Sequence, residues 1–159
     1  MEFVAQVIAL RRSHAIFSRR HFLTGKRVAG ENFKDITWFT PAGTEMTEFD
    51  WQQGYARCLS VHLSGAAVHR TDPRGHPVRD ENFTLLFNAH HDMMNFVLPP
   101  LPAGRRWRVE LDTDQAPSQG SRAKPALLAG RATRTVPARC VVVLMEVSAR
   151  SSFGSPVQR

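Results

Sequence analysis

From residue 35 onward the chain is a series of strand-length runs divided by turn signals, with no helical run between them. Residues 35–39 (DITWF) are rich in β-formers and close on Pro41-Ala42-Gly43, a turn sequence. Residues 56–63 alternate, with Leu59, Val61 and Leu63 on one side and Cys58, Ser60 and His62 on the other. Residues 83–89 (FTLLFNA) and 95–98 form two further runs, joined by His90-His91-Asp92 in what reads as a hairpin loop. In 106–111, Trp107, Val109 and Leu111 alternate with Arg106, Arg108 and Glu110, and 140–147 (CVVVLMEV) is the most apolar run of all. Asp72-Pro73-Arg74-Gly75 is a strong turn, the prolines at 99, 100 and 102 break the chain, and Pro137 bounds the last run. Residues 46–51 read as a polar and aromatic loop, 114–124 as a loop or flexible insertion, and the tail 148–159 as loose. Strands that follow one another without crossover helices cannot make βαβ units, so the pattern predicts a mainly β fold, an antiparallel β-sandwich.

The first fifteen residues are different. Phe3, Val4, Val7, Ile8 and Leu10 recur near helical spacing, and Arg11 and Arg12 suit a last turn. A basic connector then runs to the breakers Gly25 and Gly30. The helix has an apolar stripe, yet no second helix follows to receive it.

With 159 residues, 42% of them apolar and 22% charged, the chain is sized for one soluble folded domain. No apolar run approaches the roughly 18 residues of a membrane span. Glu2 stands where a signal peptide carries positive charge, so a cytoplasmic protein is expected. Cys58 and Cys140 form no CxxC pair and lie in strand-like runs, where buried free thiols are the expectation. The net charge of +7 is uneven: residues 1–98 hold eleven basic against ten acidic side chains, and 99–159 hold ten against four. These arginines are dispersed and lack interleaved aromatics, so a solvated basic face is expected rather than a nucleic-acid surface.

Few residue groups suggest chemistry. Glycosidase acid–base work needs two carboxylates at a fixed separation in a pocket. Asp112 and Asp114 are the nearest approach to such a pair, and at a strand end they read as turn residues. His90 and His91, if extended, would face opposite ways and not share an ion, which argues against a metal site at His90-His91-Asp92. The seven-residue spacing of His62, His69 and His76 crosses strand and turn and carries no geometry. Nucleophile elbows and phosphate-cradling glycine loops are missing from the sequence. Trp38, Phe39, Trp51 and Trp107 suit either a sugar-stacking platform or inward packing, and packing is favoured in a small sandwich.

Residues 3–113 resemble the C-terminal end of bacterial glycogen debranching enzymes of the isoamylase type, in the α-amylase superfamily. The resemblance is carried by IALRRSHAIFSRRHFLTG (8–25), KDITWFTPAGTEMTEFDW (34–51), LSVHLSG (59–65), ENFTLLFNAHHDMMNFVLP (81–99) and WRVELDT (107–113). The chain departs from the family's Arg-x-His-Pro pattern at Arg12-Ser13-His14-Ala15, and has Pro41-Ala42-Gly43 in place of Pro-Asp-Gly. In that family a (β/α)8 barrel carries the chemistry and a β-sandwich follows. The resemblance therefore implies that 1–17 is the remnant of the last barrel helix, 18–34 a connector, 35–147 the C-terminal sandwich and 148–159 a flexible tail. It implies that Trp38 and Trp51 lie buried at the junction of barrel and sandwich. The family's nucleophile Asp, acid/base Glu and transition-state Asp precede the matching region and fall on no residue here. The expectation is thus a C-terminal fragment of an enzyme that hydrolyses α-1,6 branch linkages in glycogen or limit dextrin, itself a non-catalytic accessory domain, inactive alone. It has no catalytic residue, no metal and no cofactor, and its substrate-binding residues are unassigned. Its partners would be the missing barrel and, through the whole enzyme, α-glucan, with no membrane and no nucleic acid. The alternatives are a free-standing α-glucan-binding sandwich and, less favoured, a nucleic-acid binder using the basic last third.

Overall fold

The computed structural model describes residues 2–28, 34–53, 57–115 and 127–149. Helix α1 spans Glu2–Ser13, with Glu2 in its first turn and Arg11 and Arg12 in its last, each placed favourably for the helix dipole. None of its residues is buried. A 3-10 turn at Ala15–Ser18 follows and carries Ile16 into the core. Asp80 holds this turn: one oxygen lies 2.8 Å from His14 Nδ1 and the other accepts the Ile16 N–H at 3.0 Å. The His14 and Phe17 rings both meet Phe83 edge-on, with centroids 4.7 Å away.

The strands, in chain order, are β1 (Ile36–Phe39), β2 (Cys58–Leu63), β3 (Arg70–Thr71), β4 (Pro77–Val78), β5 (Phe83–Asn88), β6 (Met94–Val97), β7 (Arg105–Asp112), β8 (Leu127–Leu128), β9 (Thr133–Val136) and β10 (Cys140–Ser148). Helix α2, Glu48–Trp51, sits between β1 and β2. Six strands form one antiparallel sheet in the order β1-β2-β5-β10-β7-β8, β6 pairs with β9, and β3 pairs with β4 around the Asp72–Gly75 turn. The large sheet packs one face on β6 and β9. That is an antiparallel sandwich preceded by a helix, as the strand-and-turn pattern requires.

The two faces of the large sheet are covered unequally. Between the sheets, Leu86, Phe96, Leu98, Trp107, Val136, Val142 and Leu144 are 0–1% exposed. On the outer face, Phe83 and Val68 of the 3-10 turn Gly65–Val68 are fully buried, but Val61, Leu63, Val143, Met145 and Val147 keep 4–8%, with Ile16 among them, and Leu59, Leu85, Phe87 and Val141 are half-buried. The Pro41-Ala42-Gly43 turn closes β1 onto the second sheet, where Val97 N–H donates to Pro41 C=O at 2.9 Å. Gly43 has φ +79°, and a Cβ there would meet Val97 Cβ at 3.0 Å, so the turn and the close approach both need glycine.

Several expectations are corrected. Residues 46–51 are not all loop: Thr47 and Asp50 form a capping box that starts α2. His90-His91-Asp92 does not close a hairpin, because β5 and β6 lie in different sheets and the segment crosses between them. Leu111 does not share a side with Trp107 and Val109, since the register shifts between Val143 and Leu144 and the bulge turns Leu111 to the outer face. Strands β3, β4, β8 and β9 have no counterpart in the sequence reading. Most of the 114–124 loop and of the 148–159 tail lies outside the described residues, and β10 runs to Ser148.

Candidate functional site

A cleft of about 340 Å3 lies at the β1 edge of the large sheet. Leu23, Thr24, Lys34, Trp38, Glu45 and Trp51 are among its lining residues. Asp35, 3% exposed, pins the connector that forms one wall. Its Oδ2 accepts the Thr24 N–H at 2.7 Å and the Thr24 hydroxyl at 3.1 Å, and its Oδ1 accepts the Ile36 N–H at 2.8 Å. Burial opposes charge on this carboxyl, but the hydrogen bonds from Thr24 and Ile36 outweigh it and hold its pKa below the ordinary value. The opposite wall is α2. Asp50 Oδ2 accepts the Thr47 N–H at 2.8 Å and the Thr47 hydroxyl at 2.7 Å, which fixes the helix start and brings Trp51 against Trp38. The indole centroids are 5.3 Å apart at 77°, an edge-to-face pair. On the rim, Lys34 Nζ and Glu45 Oε1 are paired at 2.5 Å.

This arrangement offers two indole surfaces and a partly exposed ion pair. It is suited to binding. Trp38 is half-buried and Trp51 is 48% exposed, so the expected burial of both indoles fails for Trp51. The reason is placement: α2 is one turn long beside the edge strand β1, where Trp38 meets the ring edge-on. Phe39 and Trp107 belong to the core, at 7% and 0%, so the four aromatics form no common platform.

The remaining residues singled out by sequence are dispersed. The His90–Asp92 segment is a turn, which removes the opposite-faces argument: the two rings stack at 4.1 Å, and their donor atoms lie with the Asp92 carboxylate within 4.8 Å of one another. Asp92 Oδ2 is 3.3 Å from His91 Nε2, and His90 Nδ1 accepts the Asp92 N–H at 3.1 Å. The turn is held by the buried Asn88, whose Nδ2 donates to the carbonyls of Asp92, Val136 and Pro137. His62 is buried between the sheets, whereas His69 and His76 are exposed. Asp112 receives a hydrogen bond from Arg134 at 2.8 Å and caps the Asp114 N–H, the turn role expected of it. Glu146 is likewise engaged, by Arg105 at 2.7 Å and Asn82 at 2.8 Å. Both cysteines are free thiols: Cys58 donates to Asn88 Oδ1 and Cys140 to Ala138 C=O.

Helix α1 leaves its stripe open, with Phe3 37%, Val4 59%, Val7 38% and Ile8 46% exposed. Among the described residues no helix is long and apolar enough to cross a membrane. Residues 35–145 match the family described as Isoamylase, C-terminal. Relatives from Mycobacterium bovis and Mycobacterium tuberculosis, each described as a glycogen operon protein GlgX homolog, are 38% identical over 145 residues, 91% of this chain and 20% of each relative. The chain thus spans about one fifth of the length of the curated relatives it matches. With a family match over most of its length, on a sandwich that carries the segments of the resemblance, the chain belongs to the isoamylase C-terminal family.

Proposed function

We infer that this chain is the non-catalytic accessory domain of a glycogen-debranching enzyme, one whose whole form hydrolyses α-1,6 branch linkages on a separate catalytic barrel. The observation that carries this reading is α1. A twelve-residue helix with no buried residue and four exposed apolar side chains on its surface is built to be covered by another body. The relatives supply the candidate, since the matched stretch is only 20% of their length. Residues 1–17 then correspond to the last barrel helix, 18–34 to the connector and 35–147 to the sandwich. The acids here support a structural role, with Asp112, Asp80 and Glu146 each committed to an ion pair or backbone cap. Hydrolysis with retention needs a nucleophile and an acid on either side of the bond, which this reading assigns to the barrel. Purified chain incubated with glycogen limit dextrin should release no reducing ends. Release that Asp112→Asn or Glu146→Gln abolishes would refute the accessory reading.

A second reading, a free-standing α-glucan-binding module, is favoured by one observation: Trp51 presents about half of its surface beside Trp38. Retention of the chain on glycogen, insensitive to salt and lost in Trp51→Ala, would select it.

A further inference from the structure

We propose that the turn at residues 90–92, where the chain crosses between the sheets, is a zinc(II) site with His90 Nδ1, His91 Nε2 and the Asp92 carboxylate as its protein ligands. Asp92 Oδ2 is the shared point, 3.3 Å from His91 Nε2 and 3.7 Å from His90 Nδ1. Donors held about 2.1 Å from one tetrahedral zinc ion lie about 3.4 Å apart, so both separations suit a common ion. One donor atom from each residue lies within 4.8 Å of the others. Imidazole nitrogens with one carboxylate select a zinc-type cation over magnesium or calcium, which take oxygen ligands. The carboxylate is also uncommitted to the fold. Asp80, Asp112 and Glu146 bind backbone or arginine, whereas that of Asp92 meets two imidazoles.

The backbone beneath these ligands is fixed from the core. Asn88, 2% exposed, engages it with both ends of its amide: Nδ2 donates to the carbonyls of Asp92, Val136 and Pro137, and Oδ1 accepts the His90 N–H at 2.9 Å. Arg139 N–H donates to His90 C=O at 3.1 Å. Such support orients metal ligands before binding. Ligation then asks for two local changes. His90 Nδ1 exchanges the Asp92 N–H, 3.1 Å away, for the ion, and Asp92, being exposed, offers that N–H to water. The stacked rings, 29° from parallel, must open so that both lone pairs meet the ion, and the His91 ring is 61% exposed, which leaves it room to turn. Water completes the coordination on the open side. An ion held here would pin the crossing from β5 in the large sheet to β6 in the second sheet, and so stabilise the folded chain.

Titration calorimetry of the full chain with zinc chloride should show one equivalent bound, and zinc should raise the thermal unfolding midpoint. His91→Gln and Asp92→Asn should each weaken binding by about tenfold or more, since even outer-shell partners act on that scale, and should remove the midpoint shift. His76→Gln should change neither. That histidine is exposed and faces Asp72 at 3.3 Å, a pair without a third donor described beside it, so it measures what a lone surface pair retains. In the parent, nuclear magnetic resonance should show zinc moving the ring signals of His90 and His91 and leaving those of His21, His69 and His76 in place, a readout that needs no variant. Binding that survives both substitutions would overturn the proposal, as would equal weakening by His76→Gln, an equal midpoint shift with magnesium chloride, or ring shifts spread over all the exposed histidines.

Discussion

Lowering the pH from 7 to 4.5 should destabilise this fold by about 2.5 kcal/mol through His62 alone, if its proton equilibrium follows from where the ring sits. The imidazole is wholly buried between the sheets, with Nδ1 3.1 Å from Thr84 Oγ1 and Trp107 edge-on at 5.9 Å. Burial disfavours the charged form and lowers its pKa from 6.5 to about 3. Unfolded chains take up the proton below 6.5 and folded ones refuse it until about 3, so stability is full above the first value and falls as pH drops towards the second. The slope in that window is one proton, about 1.4 kcal/mol per pH unit. Asp35, Asp50 and Asp72 have lowered pKa values and also lose stability on acidification, but below their ordinary value of 3.8, which is why the comparison stops at 4.5. His62→Gln keeps a partner for Thr84 and cannot titrate. Urea unfolding followed by circular dichroism at pH 7 and 4.5 should show the loss in the parent and little of it in the variant. Equal pH dependence in both chains would refute the argument.

Two further outcomes separate core from surface. Trp107→Ala removes a fully buried indole and its hydrogen bond to Pro99 C=O at 3.1 Å, and should cost about 3–5 kcal/mol in urea unfolding, whereas Trp51→Ala should cost under about 1 kcal/mol in the isolated chain. Equal losses would contradict the cleft geometry. Deleting residues 1–12 should raise the monomer fraction in size-exclusion chromatography and leave the β-sheet circular dichroism intact. The cut must stop before His14, because His14 and Ile16 bind Asp80, and a deletion through residue 16 should lower the unfolding midpoint.

The strands were legible because alternation and turn residues are local signals, and β1, β2, β5, β7 and β10 lie within a residue or two of the runs that announce them. What escaped is non-local. Ser60, His62 and Thr84 are buried inside the sandwich, with His62 opposite Thr84 and Ser60 opposite Leu86, so a polar side of an alternating strand does not face water here. The bulge that reverses Leu111 is set by its pairing with Val143, which nothing in 106–111 encodes. A five-residue link at 89–93 reads the same whether it closes a hairpin or crosses between sheets. One miss was avoidable: Thr47 and Asp50 stand at capping-box spacing, and that signal announces α2. For the cleft, KDITWFTPAGTEMTEFDW carried the resemblance and contains most of its walls, but the exposure of Trp51 could not be read, because a tryptophan looks the same in sequence whether its cover is part of the chain or comes from outside.

The unequal sealing of the sheet connects fold to proposed function. Burial of apolar area contributes roughly 25 cal/mol per Å2, and the face packed on β6 and β9 has collected nearly all it can, since its buried residues other than Cys140 are 0–1% exposed. That face is completed by strands of the chain itself, so the sandwich holds together without help. The outer face is different in kind. Its cover is the 3-10 turns at Ala15–Ser18 and Gly65–Val68 and a connector. Although Phe83 and Val68 are sealed at 0%, Ile16, Val61, Leu63, Val143, Met145 and Val147 keep 4–8% exposure, with Leu59, Leu85, Phe87 and Val141 half-buried around them. Any further burial there must come from outside the described residues, and α1 and the cleft at β1 both border that face. A second body seated on it would therefore add stability to a sheet that already stands, which is how an accessory domain can be rigid by itself and still be fixed in orientation by its partner.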